Sequence, residues 1–127
     1  MKFKYTILYV EDVSATIEFF EAAFSCQKAM IHESGDYGEL ATGDTKLAFS
    51  SLKLMDQLGK SPATASPTGP TFELAFETED VSKALQQAID AGAKLVQDLE
   101  EMPWGQTTAY VCEPNGFLIE ICTPIVG

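Results

Sequence analysis

The sequence predicts an α+β fold: two βαβββ modules in tandem, forming a curved mixed-sheet trough with the helices on the outside. Three observations predict it. The tetrapeptide Glu-Asp-Val-Ser occurs twice, at 11–14 and 79–82. Each copy closes an apolar, β-type run and opens a run with helical spacing. In both halves three further strand-like runs follow, and a glycine turn, at Gly43 or Gly116, precedes the last of them.

The elements follow in order. Residues 3–10 (FKYTILYV) are aromatic and β-branched, the composition of a strand. Asp12 offers an N-cap, and Val13, Ile17, Phe20 and Phe24 recur at helical spacing. Turns at 34–36 and 42–44 divide three strands, at 27–33, 37–41 and 46–50. A short helix over 52–58 precedes KSPATASPTGP (60–70), which reads as a flexible linker. The second half repeats the order. A strand spans 72–78, and Asp80 caps a helix whose Val81, Leu85, Ala88 and Ile89 face inward. Ala91-Gly92 stops it, and strands follow at 94–97, 107–112 and 117–122. Phe20, Phe24, Phe49 and Phe76 are expected in the core. The chain is thus expected to be a single domain over 1–127, with a module at 1–52, a linker at 53–70 and a module at 71–127.

Alternation fixes faces on the strands. With Leu8 and Val10 under the helix, Tyr5, Ile7 and Tyr9 share the other face. Glu73, Ala75 and Glu77 likewise oppose Leu74 and Phe76, and Leu118, Glu120 and Cys122 oppose Ile119 and Ile121.

Eight lysines, no arginine and nineteen acids give a net charge of −11. That field repels nucleic acid and anionic membrane surfaces and favours encounters with cations. Without arginine, an anion would have to be held by lysine or backbone amides. No apolar run approaches membrane-spanning length. Cys26, Cys112 and Cys122 form no CxxC pair, which fits a reduced, cytoplasmic protein.

The stretches ILYVEDVSATIEFFEAAF (7–24) and EPNGFLIEICTP (113–124) resemble the vicinal oxygen chelate superfamily of glyoxalases, bleomycin resistance proteins and dioxygenases. The resemblance spans nearly the whole chain except the linker. It implies a small-molecule site, and metal-using members supply one ligand from each of four strands. Carried over by position, those ligands fall on Tyr5, a residue near Ala48, Glu73 and Glu120. Only Glu120 keeps the family's residue type. With His32 the single histidine, neither two-histidine ligand set of the family can be assembled.

No cofactor is therefore expected. If a divalent metal binds, Glu73 and Glu120 are the carboxylates that would hold it. Sharing one face, the same pair could share a proton and act in acid–base catalysis. The leading expectation is a metal-independent protein whose acidic trough binds a small cationic or aromatic molecule. Tyr5, Tyr9 and Trp104 would supply aromatic surface, and Glu73 and Glu120 charge. The alternative is a lyase or isomerase of glyoxalase type, using an unusual metal site or a carboxylate base. A third class, a pure interaction module, would lack a ligand-sized pocket. The resemblance also implies a homodimer, since related two-module proteins build their troughs at a dimer interface, with modules pairing within a chain or swapping between chains. The sequence does not fix the roles of His32, Tyr37, Glu39, Gln106 and Tyr110.

Overall fold

The computed structural model describes residues 1–125. The chain divides into two compact units, with the boundary between Thr64 and Ala65. The N-terminal unit runs β1 (Tyr5–Val10), α1 (Val13–Phe24), β2 (Lys28–Ile31), β3 (Tyr37–Leu40), β4 (Lys46–Ser51) and α2 (Leu52–Gln57). The C-terminal unit runs β5 (Glu73–Glu77), α3 (Val81–Asp90), β6 (Lys94–Glu101), β7 (Thr107–Cys112) and β8 (Leu118–Cys122). Each unit holds one four-stranded mixed sheet, ordered β1-β4-β3-β2 and β5-β8-β7-β6. The first and last strands of each module are parallel neighbours, and the other pairings are antiparallel. The two predicted βαβββ modules are present.

The repeated tetrapeptide makes the same corner twice. Asp12 Oδ1 accepts the Ala15 amide at 3.0 Å, and Asp80 Oδ1 accepts the Lys83 amide at 3.0 Å. Each aspartate thereby satisfies one of the amides that a helix start leaves without a partner. Val13 and Val81, next in sequence, are buried. Helix α1 stops where Ser25 turns left-handed (φ 57°), and the chain leaves α3 through Gly92 (φ 114°).

In the N-terminal unit Val13, Ile17, Phe20 and Ala23 pack against the sheet face bearing Leu8, Val10, Leu40 and Phe49. The Phe20 and Phe49 rings lie 5.2 Å apart. Gly38 lets the helix come close: a β-carbon there would sit 2.6 Å from Ile17 Cδ1 and 3.1 Å from Val13 Cγ1. In the C-terminal unit Val81, Leu85 and Ala88 meet Ala109, Val111, Ile119 and Ile121, with no aromatic ring among them. Phe20 and Phe49 are core residues as expected, but Phe24 and Phe76 are only partly covered.

The largest departure from the sequence reading is β6, which continues to Glu101 rather than ending at residue 97. Its register slips between Leu95 and Gln97 and again between Gln97 and Glu100. The acids of QDLEE stand on an exposed edge, where charge costs little, and the irregularities interrupt the alternation that would announce a strand. Residues 60–70 form neither helix nor strand. Among the described residues no helix is long and apolar enough to cross a membrane.

Glu113 closes the β7–β8 connection and is 2% exposed. Its carboxylate accepts from Asn115 Nδ2 at 3.0 Å and from the Phe117 amide at 3.2 Å. Burial raises its pKa despite these bonds, which pull the other way. Gly116, at φ 100°, lies under the Ala65 carbonyl and Pro67.

Two substitutions test these contacts. Gly38→Ala is expected to cost about 1–3 kcal/mol in urea unfolding, as overpacking does, and adding Ile17→Val should recover part of the loss. Glu113→Ala strands buried donors and should cost about 1–3 kcal/mol by the same measurement.

Candidate functional site

In each unit the helix covers one sheet face, and the polar side chains collect on the other. On the C-terminal sheet, β5 pairs with β8 so that Glu73 lies opposite Leu118 and Ala75 opposite Glu120. β7 in turn sets Tyr110 opposite Glu120 and Thr108 opposite Cys122. Paired residues share a face. Ala109 and Val111 point to the helix, so Tyr110 and Thr108 point to the side of Glu120.

The resulting cluster is hydrogen-bonded. Thr108 Oγ1 donates to Glu120 Oε2 at 2.7 Å. The Tyr110 hydroxyl lies 3.2 Å from the same oxygen and 3.5 Å from Glu73 Oε2. Two donors thus converge on Glu120, while Glu73 has one long contact. Partial burial raises the Glu73 pKa, and the neighbouring Glu120 charge raises it further. The same surroundings push Tyr110 up to about 12. At neutral pH Tyr110 is therefore a hydrogen-bond donor and not a phenolate base. Cys122 is buried beside this group, and burial and the carboxylates Glu120, Glu77 and Glu73 raise its thiol pKa, which disfavours a nucleophilic thiolate. Burial raises Cys26 and Cys112 as well.

Trp104 occupies the tip of the β6–β7 hairpin and is 63% exposed. Its indole Nε1 donates to Gln106 Oε1 at 2.8 Å, and Gln106 Nε2 donates to the Thr123 carbonyl at 2.8 Å. The ring is thus tethered beyond the Thr107 end of the sheet that carries Glu120.

Tyr5 and Tyr9 stand on the open face of the N-terminal sheet, Tyr5 exposed and Tyr9 half-buried. There Tyr37 donates to Glu39 Oε2 at 2.9 Å, and Lys46 Nζ lies 3.5 Å from Glu39 Oε1. Burial and Glu39 push Tyr37 up to about 12. Ala48, at the position the resemblance assigns to a carboxylate ligand, is fully buried. His32 lies in the β2–β3 turn, its Nδ1 2.8 Å from Ser34 Oγ.

The structure therefore brings Glu73 and Glu120 into one cluster and adds Tyr110 and Thr108 to it. Trp104 belongs to the same unit, and Tyr5 and Tyr9 to the other. The sequence reading left Tyr110 unassigned and did not single out Thr108; the apolar pair Ala109 and Val111, two apart within TTAYVC, is the signal that marks the helix side and would have placed both. Among the described residues, no three His, Cys, Asp or Glu side chains come together to hold a metal ion. Two carboxylates with no histidine or cysteine ligand beside them, one of them already accepting two hydroxyl donors, do not fit a resident transition metal.

Residues 3–126 match the family described as the glyoxalase-like domain. An uncharacterised protein of Mycobacterium tuberculosis is 27% identical over 123 residues, covering 93% of this chain and 72% of that protein. Among solved structures, a glyoxalase/bleomycin resistance protein/dioxygenase family enzyme from Burkholderia phytofirmans superposes with a TM-score of 0.83 at 21% identity. The match covers 99% of this chain and 100% of that one. A glyoxalase-related enzyme from Fulvimarina pelagi gives 0.82 at 17% identity, covering 98% of this chain and 88% of the other. These structural likenesses concern the fold.

The raised Glu73 pKa sets a pH dependence. Its folded value lies above the ordinary 4.5, so the folded state binds more protons than the unfolded one between the two values. Stability is accordingly lost as pH rises through the folded value, and the penalty vanishes below 4.5. Glu73→Gln should raise the melting temperature at neutral pH, with the gain shrinking to nothing in acid. A gain that persists at low pH would refute the electrostatic origin.

Proposed function

The chain belongs to the glyoxalase-like domain family, within the vicinal oxygen chelate superfamily, and on that footing we propose that its C-terminal sheet face binds a small organic molecule without a resident metal. The observation that carries this reading is the Glu73–Tyr110–Glu120 cluster. It is solvent-accessible and acidic, and among the described residues no lysine lies within ion-pair distance of either carboxylate. Such a face favours a ligand that brings positive charge or hydrogen-bond donors. Trp104, at the rim of the same sheet, offers an exposed ring for stacking. Tyr5 and Tyr9 offer aromatic surface of their own on the open face of the N-terminal sheet.

A second reading rests on the unequal surroundings of the two carboxylates. Glu73, with its raised pKa, would serve as a general acid and Glu120, fixed by Thr108 and Tyr110, as a base. That division of roles would support a lyase or isomerase. The acidity of the chain would suit a cytoplasmic protein acting on a soluble compound without nucleic acid or membrane partners, and a homodimer is the assembly proposed for it.

The deciding experiment combines metal analysis of the purified protein with calorimetric titration by Mg²⁺, Mn²⁺, Ni²⁺ and Zn²⁺. Binding no tighter than the millimolar range is expected. Trp104, the only tryptophan, then reports a screen of aromatic and cationic compounds by fluorescence. Stoichiometric, tight metal lost in Glu120→Gln would overturn the metal-free reading and favour a lyase or isomerase.

A further inference from the structure

Strand β6 is the outer edge of the C-terminal sheet, with β7 on its one paired side. It is eight residues long, and Leu95, Val96 and Leu99 on it are 52%, 56% and 44% exposed. An exposed edge of that length with apolar side chains is a template for another strand. The acids of QDLEE defend it unevenly, because they occupy its C-terminal half while Lys94 stands at its start. A strand charged in this way repels a parallel copy of itself and suits an antiparallel one.

The pairings with β7 fix which side chains would meet. Lys94 lies opposite Cys112, Gln97 opposite Tyr110 and Glu100 opposite Thr108. Those three β7 residues are on the open face, so Lys94, Gln97 and Glu100 share it, three residues apart rather than two. The register slips that create this spacing fall on either side of Gln97, one between Leu95 and Gln97 and one between Gln97 and Glu100. Gln97 Nε2 donates to Glu100 Oε2, in keeping with a shared face. Leu95 lies opposite Val111 on the helix side, and Asp98 and Leu99 share the place across from Ala109 on that side. The strand is therefore complementary to its own reverse about Gln97. Turned antiparallel, Lys94 meets Glu100, Leu95 meets Leu99 and Gln97 meets its counterpart, each pair on one face. Val96 meets Asp98, so no position sets like charges opposite.

We propose that β6 is the docking edge for a second copy of this chain, whose own β6 pairs with it antiparallel about a two-fold axis through Gln97. Because paired residues keep their faces, the axis stands perpendicular to the sheet. The two four-stranded sheets then join into one, with both α3 helices on one side and both open faces on the other. Two Lys94–Glu100 pairs set the register, and the exposed leucines cover one another. This assigns a surface to the homodimer proposed above and does not depend on the small-molecule reading. The edge is short and the net charge of −11 opposes association, so dimers are expected to form at about 0.01–1 mM.

The test is sedimentation velocity of the full chain and two variants across that range at constant salt. Lys94→Glu and Glu100→Lys each set like charges opposite twice in the dimer, and each should weaken it at least about tenfold. Both positions are exposed, and thermal melts check that the variants fold. An equimolar mixture of the two variants should associate to within about threefold of the wild type, because each then meets its complement while both chains stay strongly acidic. Gln97→Cys should cross-link under mild oxidation at least about tenfold faster than Asp98→Cys, since the axis places only the thiols at 97 opposite each other. If the wild type dimerises but the single variants dimerise equally, or their mixture fails to recover, or Asp98→Cys cross-links as fast, the β6 edge falls and the homodimer rests on another surface. If the wild type stays monomeric at about 1 mM, the edge and the homodimer both fall. Neither result touches ligand binding by the open face, which is measured on its own.

Discussion

A single helix covers one face of a four-stranded sheet and no more. In this protein α1 and α3 each serve one sheet, so every strand must present apolar residues to its helix and is free to present anything on the other side. Leu8, Val10, Ile119 and Ile121 obey the first demand. The phenols and carboxylates that give the chain its chemistry use the second freedom. The constraint also fixes register, because a slip of one residue along β8 would drive Glu120 into the core and turn Ile119 or Ile121 outward.

The modules were legible in the sequence because the corner that starts each helix is written with the same four residues. An aspartate cap followed by a buried valine is a local device and needs no distant contact to be recognised. Alternation then placed Tyr5, Glu73 and Glu120 on their faces before any pairing was known. It did not say which residues become neighbours across strands. Tyr110 meets both Glu73 and Glu120 only because β8 runs parallel to β5 and antiparallel to β7, an arrangement set by long connections. Strand β6 was read short for a related reason. Its irregular register and its run of acids are tolerated at a sheet edge, where the rules of a half-buried strand are relaxed.

Comparison of the sheets shows how similar scaffolds come to carry different electrostatics. The N-terminal open face is nearly self-contained: Tyr37, Glu39 and Lys46 satisfy one another. The C-terminal face keeps its hydroxyl donors but replaces lysine by Leu118 and tyrosine by Glu73. With Ala48 matched by Glu120 and Glu39 by Tyr110 as well, four differences turn a nearly neutral surface into an acidic one without touching the helix side. The three cysteines take little part, since burial holds their thiols protonated.

The Glu113 turn bears on the order in which the C-terminal unit assembles. Every partner of its buried carboxylate lies within four residues along the chain, so the corner joining β7 to β8 can organise itself before anything else is in place. Hairpins of this kind close in about 1–10 μs. The parallel pairing of β5 with β8 has to wait for α3 and two further strands to be laid down between them, and carries the larger loop-closure entropy. Glu73 is consequently among the last of the acidic cluster to arrive. Its contact with Tyr110 spans 37 residues of chain, against 10 and 12 for those that Tyr110 and Thr108 make with Glu120, so bringing it into the cluster carries the larger loop-closure cost.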